Sequence, residues 1–339
     1  MPKTKKMFEA REGRKTYAIL DPADFITKFD DDITAYRRVT VEEFVGDGDT
    51  VDLKALGRLP VRFLGIDAGE IGMFRPLRIS EFNRNKKAGY MKLGNSLWQE
   101  FLTDPLSTEW EPYNQPLIPE LIANLSSRWG ANARDNHLHW ANKARARLVR
   151  LIREDLESLG RSWKNAEFYT AYGTELLDAY GRLLCFINIK ESNPNRRPKY
   201  SYNERLMQEG LVIPYFIWPN VAPFNRLSIL EAVRNPVKFR TLANDSKALS
   251  EARQWCREAR AQPESIYDPA QGLWILPFEL RYLSNRIAPK RYVIGLGAQT
   301  SDNQLLSPSR YIEIPKLEDR LFIPAEYAPL FEKHGWQIC

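Results

Sequence analysis

The chain has 339 residues, of which 43% are hydrophobic and 12% aromatic, with 49 Lys and Arg against 43 Asp and Glu and a formal net charge of +6. That apolar fraction supports a packed core and excludes wholesale disorder, and the small basic excess suits an anionic partner without demanding one. Three widely spaced cysteines, Cys185, Cys256 and Cys339, give no disulfide framework or zinc knuckle, and no apolar run approaches the roughly 18 residues of a membrane span.

The first segment, "MPKTKKMFEAREGRKTY", is basic but has no apolar stretch behind it, so no secretory signal is expected and a cytoplasmic setting with reduced thiols is. "TYAIL" reads as a short strand and "DPADFITKF" as a capped short helix or turn. From Arg38 the pattern turns to β: "DTVDL" alternates, and "LPVRFLGID" follows the turn "KALGR". Residues 74–137, with four prolines in "DPLSTEWEPYNQPLIP", are too long for an ordinary loop. They read as an inserted subdomain with some helix, "LIPELIANLSSRW", and with Trp98, Trp110 and Trp129 in its core.

In "HWANKARARLVRLIREDLESLG", Leu148, Ile152, Leu156 and Leu159 fall at helical spacing and Gly160 is a stop. "NAEFYTAYG" and "YGRLLCFINI" return to β, "SYNERLMQEGL" is a short helix ending at Gly210, and "VIPYFIWPN" is an aromatic strand. "NDSKALSEARQWCREARAQ" is an amphipathic helix, and "KRYVIGLG" and "SRYIEIP" look like hairpin arms. Short strands interleaved with helices suit an α+β fold, a small β-barrel with helices packed on it.

The chemistry concentrates in "GDGDTVDLKALGRLPVRFLGIDAGE", Gly46 to Glu70. An antiparallel hairpin brings the start of its first strand, at Asp49, close to the end of its second, at Asp67. Carboxylates placed together resist ionising unless a cation sits between them. A hard divalent cation takes carboxylate, carbonyl and water oxygens, so Asp49, Asp67 and a carbonyl near Ala68 form a candidate calcium site. Glu70 stands where it can orient a water, and Arg62 offers a planar fork for phosphate. The plainer alternatives stay open on spacing alone: "GDGD" as a turn, and a strand arginine facing solvent. His137 and His139, in "NHLHW", read as helix-capping or surface residues before they read as metal ligands. "YVIGLGAQT" lacks the third glycine and the βαβ frame of a dinucleotide site.

"DGDTV" followed by "VRFLGIDAGE" resembles the active-site hairpin of the staphylococcal nuclease (thermonuclease) family. Three later stretches agree in order: "DAYGRLLCFINI", "NERLMQEGLVIPYFIWPN" and "AQGLW". The resemblance covers about 40–73 and 138–274 and implies a five-stranded OB-type barrel with three helices. It implies Ca2+, or another divalent cation, held by Asp49, Asp67 and the Ala68 carbonyl. It also implies Glu70 as the base or water-orienting group, Arg62 and Arg182 as the phosphate-holding catalytic arginines, Tyr180 near the phosphate, and Tyr215 and Trp218 near the base-stacking positions. The implied activity is endonucleolytic hydrolysis of DNA and/or RNA leaving 3′-phosphate ends, with no membrane partner. The alternative is a non-cleaving nucleic-acid or protein-binding module on the same fold.

Gly69 stands where the family has proline, which predicts a more mobile Glu70 loop, and Ala179 stands where some members have lysine. The expected organisation is an N-terminal extension (1–37), a nuclease-like domain (38–274) interrupted by the insertion (74–137), and a C-terminal extension (275–339). Either the insertion or the C-terminal extension is a candidate surface for a regulatory protein partner.

Overall fold

The computed structural model describes residues 9–11, 15–19, 26–29, 41–43, 45–54, 58–178, 180–297 and 303–339. Most of the N-terminal extension, the first half of "DPADFITKF", the middle of the "KALGR" turn and Ala179 lie outside the described residues.

The fold is mixed α+β with several small sheets. The strands that frame the site are β1 (Ile26–Phe29), β2 (Val45–Asp47), β3 (Thr50–Lys54), β4 (Arg58–Phe63) and β5 (Gly65–Asp67), then β6 (Glu167–Leu177), β7 (Leu183–Ile189), β8 (Ile213–Ile217), β9 (Tyr292–Gly295) and β10 (Arg320–Ile323). The helices that matter here are α1 (Ser96–Thr103), α2 (Pro119–Ser126), α3 (Ala133–Ser158), α4 (Tyr202–Gln208), α5 (Lys247–Arg260) and α6 (Pro277–Ser284).

One six-stranded sheet has the order β1-β6-β7-β4-β3-β2, and β1 pairs with β3 as well as with β6. β3 and β4 form the expected antiparallel hairpin, with Thr50 opposite Arg62. The run "LPVRFLGID" is broken at Gly65, whose φ of 77° lies in the left-handed region that glycine enters freely. The break sends β5 into a second sheet of order β9-β10-β8-β5. Asp67 lies at the register position opposite Ile213 of β8. The buried Asn203 of α4 fixes this switch: its amide donates to the Leu64 and Cys185 carbonyls at 2.9 and 3.1 Å.

α3 is the long amphipathic helix, and Gly160 follows its end with φ of 65°. It begins at Ala133, earlier than the periodicity of Leu148 to Leu159 implies, so the boundary at 137 falls inside it. Its buried stripe includes His137, Trp140, Ala141, Ala144, Leu148 and Ile152, at helical spacing.

The "ITKF" half of the first predicted helix is strand β1, and "SRYIEIP" is a 3-10 turn over Pro308–Glu313. The insertion and the C-terminal extension both join one buried cluster running from Val41 to Trp336. Trp98 and Trp110 are core residues as expected. The C-terminal extension supplies β9 and β10 beside β8, which propensity in "KRYVIGLG" half revealed. No helix among the described residues is long and apolar enough to cross a membrane.

Candidate active site

Asp49 occupies the turn between β2 and β3, and Asp67 ends β5. The hairpin brings them together through Arg62. Arg62 Nη2 lies 3.3 Å from Asp49 Oδ2 and also bonds Asp67 Oδ1. Both carboxylates are essentially buried. The backbone N–H of Ala68 donates to Asp49 Oδ2 at 2.9 Å, whereas the resemblance implies a role for its carbonyl.

A second guanidinium, which the sequence reading missed, enters from α6. Arg281 Nη1 donates to Asp67 Oδ1 at 2.9 Å and to Glu70 Oε1 at 2.5 Å, and Nη2 donates to Asp67 Oδ2 at 2.6 Å. Asp47 completes the group, its Oδ1 accepting the Asp49 N–H at 3.2 Å.

Burial pushes the Asp47 carboxyl well above its ordinary value, and the charges of Asp49 and Glu70 push the same way. Burial also raises Glu70, against the opposing pull of Arg281 and Arg62. For Asp49 burial acts upward too, but Arg62 and the Ala68 N–H outweigh it and hold the carboxyl below its usual range. Burial works against both guanidiniums as well, yet Asp49 and Asp67 keep Arg62, and Asp67 and Glu70 keep Arg281, firmly protonated.

Glu70 is held from behind by His137, an unpredicted role. The Glu70 N–H donates to His137 Nε2 at 2.9 Å, and Nδ1 lies 3.2 Å from the Ile275 carbonyl. His137 is fully buried, so it neither caps the helix nor lies on the surface. Next to it, Gly69 packs directly on α3. A Cβ at Gly69 would stand 2.9 Å from the N, Cα and Cβ of Ala141, and one at Gly48 would stand 2.6 Å from the Ala144 Cβ. Where a mobile Glu70 loop was expected, Gly69 is in close contact with α3, which passes too near for any side chain at this position.

Arg182 precedes β7, two residues before Leu184, the register partner of Arg62. Its guanidinium is tied to Asp178, Nε to Oδ2 at 2.8 Å, and the same carboxylate accepts the Tyr180 and Arg182 N–H groups at 2.9 and 3.0 Å. Tyr180 is exposed, with the Arg182 guanidinium carbon 5.5 Å from its ring centre.

Tyr215 and Trp218 are not available as stacking platforms. Tyr215 is buried and stacks on Phe278 of α6 at 5.3 Å, and Trp218 is fully enclosed against Tyr327 and Phe331. Side chains of the C-terminal extension cover both. The exposed rings near the acids are Phe74 and Tyr90, which pair edge-to-face with centroids 6.3 Å apart just beyond Glu70. The charges of Asp47 and Glu70 reach the Tyr90 hydroxyl and, after its burial, add to the upward shift of its pKa.

The donor set suits a hard divalent cation: four oxygen-bearing side chains, Asp47, Asp49, Asp67 and Glu70, face two guanidiniums, so two negative charges are uncompensated when all are ionised. Among the described residues no three His, Cys, Asp or Glu side chains converge as a ready metal cluster, because the arginines stand between the carboxylates. Compared with known proteins, the chain matches no family model and no curated protein.

Proposed function

We propose that the chain is a divalent-cation-dependent, calcium-preferring endonuclease of the staphylococcal nuclease type, built on an OB-type barrel. The reading is carried by one observation: Asp49, Arg62, Asp67 and Glu70 meet in a single buried cluster. The barrel is supported by the ring of pairings β1-β6-β7-β4-β3 that returns to β1.

Asp49 and Asp67 would hold the cation, with Ala68 supplying a backbone oxygen. When bound, the cation polarises a phosphoryl oxygen and water. Glu70 takes the proton of the attacking water. Arg62, and Arg182 once it leaves Asp178, hold the equatorial charge of the transition state with forks matched to phosphate. Tyr180, whose ring lies beside the Arg182 guanidinium, would contact the same phosphate.

Base contact passes from Tyr215 and Trp218 to Tyr90 and Phe74. Stacking on an aromatic ring is worth about 1–3 kcal/mol per base. Tyr90→Ala is therefore expected to raise KM for single-stranded DNA by about fivefold or more with kcat little changed; an unaltered KM removes the role.

The direct test is incubation of supercoiled plasmid, single-stranded DNA and RNA with the full chain in calcium, then in EDTA. Cleavage in calcium only, giving ends that polymerase extends after phosphatase treatment, is the expected result. No cleavage with calcium, magnesium or manganese would end the nuclease reading. The competing reading, a module that binds without cutting, draws on the engagement of Arg62, Arg182 and Arg281 with carboxylates; it predicts EDTA-insensitive binding with no cleavage. A regulatory partner would have to use the outer faces of 74–137 or 275–339, since both segments contribute core side chains; pull-down with the full chain tests it.

A further inference from the structure

We propose that Arg281 is a built-in counter-ion of the carboxylate cage, and that only its displacement opens Asp67 to a divalent cation and frees Glu70 to act on water. The inference rests on the hydrolytic reading above and adds a residue from the C-terminal extension to the site.

Three bonds from one guanidinium cover both oxygens of Asp67 and one of Glu70. The Asp67 oxygens are ones a hard cation needs, so the two occupants compete for that carboxylate, and Glu70 is held by the same guanidinium. Arg62 is the worse candidate for displacement. It lies within the β4 ladder, and its guanidinium is shared with Asp49 as well as Asp67. Arg281 bonds no carboxylate outside the contested pair, and its side chain is 24% exposed against 13% for Arg62.

The helix beneath Arg281 does not need to move. Phe278 stacks on Tyr215, Leu280 is fully buried, and Glu279 is bonded to Arg128 and Tyr311. Arg281 therefore swings on its own torsions from a fixed base. Charge points the same way. With Arg281 in place the four carboxylates exceed the guanidiniums by two; with it withdrawn the excess is three, and the pull on an incoming divalent ion is greater.

The test is calcium binding by titration calorimetry, and terbium binding by luminescence, on the full chain. Arg281→Met is expected to bind calcium about tenfold or more tighter than the unaltered protein, because no charged hydrogen bonds have to be broken first. It should also melt lower than the unaltered protein in EDTA and gain more from added calcium. Arg281→Lys keeps the charge and loses the fork, and should fall between the two; it carries the test if the methionine variant does not fold. Calcium affinity equal to or weaker than that of the unaltered protein, in a variant with unchanged far-ultraviolet dichroism, overturns the proposal. If the unaltered protein cleaves with calcium while the variants bind it no more tightly, only this inference falls. If none of them binds calcium or terbium, both this inference and the calcium-dependent reading fall.

Discussion

Glu70→Gln is expected to lower kcat for phosphodiester cleavage by about 10²–10⁴, the usual contribution of a positioned general base. Glutamine keeps the length of the side chain and an oxygen that still accepts from Arg281. The backbone N–H to His137 is unaffected by the exchange. The fold should therefore survive, with a stability change of about 1 kcal/mol as a charge-assisted bond becomes an ordinary one. What is lost is proton affinity. Burial raises the Glu70 carboxyl above its ordinary value, against Arg281 and Arg62, which brings it closer to the working pH of a base. A base acts deprotonated, so the rate of the unaltered enzyme should climb with pH through that raised value. The glutamine variant should lack this limb. Single-turnover cleavage of a defined oligonucleotide between pH 4.5 and 8 reads both quantities. A variant retaining more than a third of the rate, with the same pH limb, would remove Glu70 from the reaction.

The parts of this site that could be read in the sequence are those fixed by short-range geometry. A hairpin places Thr50 opposite Arg62, so Asp49 and Arg62 are neighbours by register alone. Asp67 and Glu70 lie within eight residues of Arg62 along the chain. α3 and α4 announced themselves by their apolar spacing and by the glycines that stop them, Gly160 and Gly210. The residues that escaped notice act across long separations. Arg281 is 214 residues from Asp67, and nothing local in "PFELRYLSNR" marks which of its two arginines reaches the acids. His137 reaches Glu70 over 67 residues. Its "NHLHW" context suggested capping or a ligand pair, whereas tertiary packing placed it in the core. Tyr215 and Trp218 failed for the same reason in reverse. Their strand was recognised correctly, but whether an aromatic face is free depends on what else covers it. Here α6 and the segment around Phe331 do. Gly69 was legible as a departure from proline, yet its meaning lay in the closeness of Ala141.

Acid is expected to cost the fold about 3 kcal/mol through His137 alone. The ring makes two contacts of opposite kind. Nδ1 faces the Ile275 carbonyl and so carries the proton, while the Nε2 lone pair receives the Glu70 N–H. A second proton, on Nε2, would turn that contact into two opposed donors inside a fully buried pocket. Burial accordingly drives the imidazole down to about 4, with the nearby Arg281 charge acting the same way and the Ile275 carbonyl opposing. In the unfolded chain the same group titrates near 6.5. Between those values the unfolded state binds more protons than the folded one, so stability rises with pH across the window. The contribution is fully present above about 6.5 and is lost as pH falls toward 4, at roughly 1.4 kcal/mol per unit. The carboxylates titrate over part of the same range and in opposite senses: Asp49 is held low, while Asp47 and Glu70 are held high. A difference measurement isolates the histidine. In His137→Gln the amide oxygen still accepts the Glu70 N–H, but the residue has no proton to gain. Urea unfolding at pH 4.5, 5.5, 6.5 and 7.5 should show the unaltered protein losing stability relative to the variant as pH falls. A difference that stays flat from 7.5 to 4.5 would mean that His137 does not fold as a buried neutral acceptor, and that the Glu70 loop is held by something else.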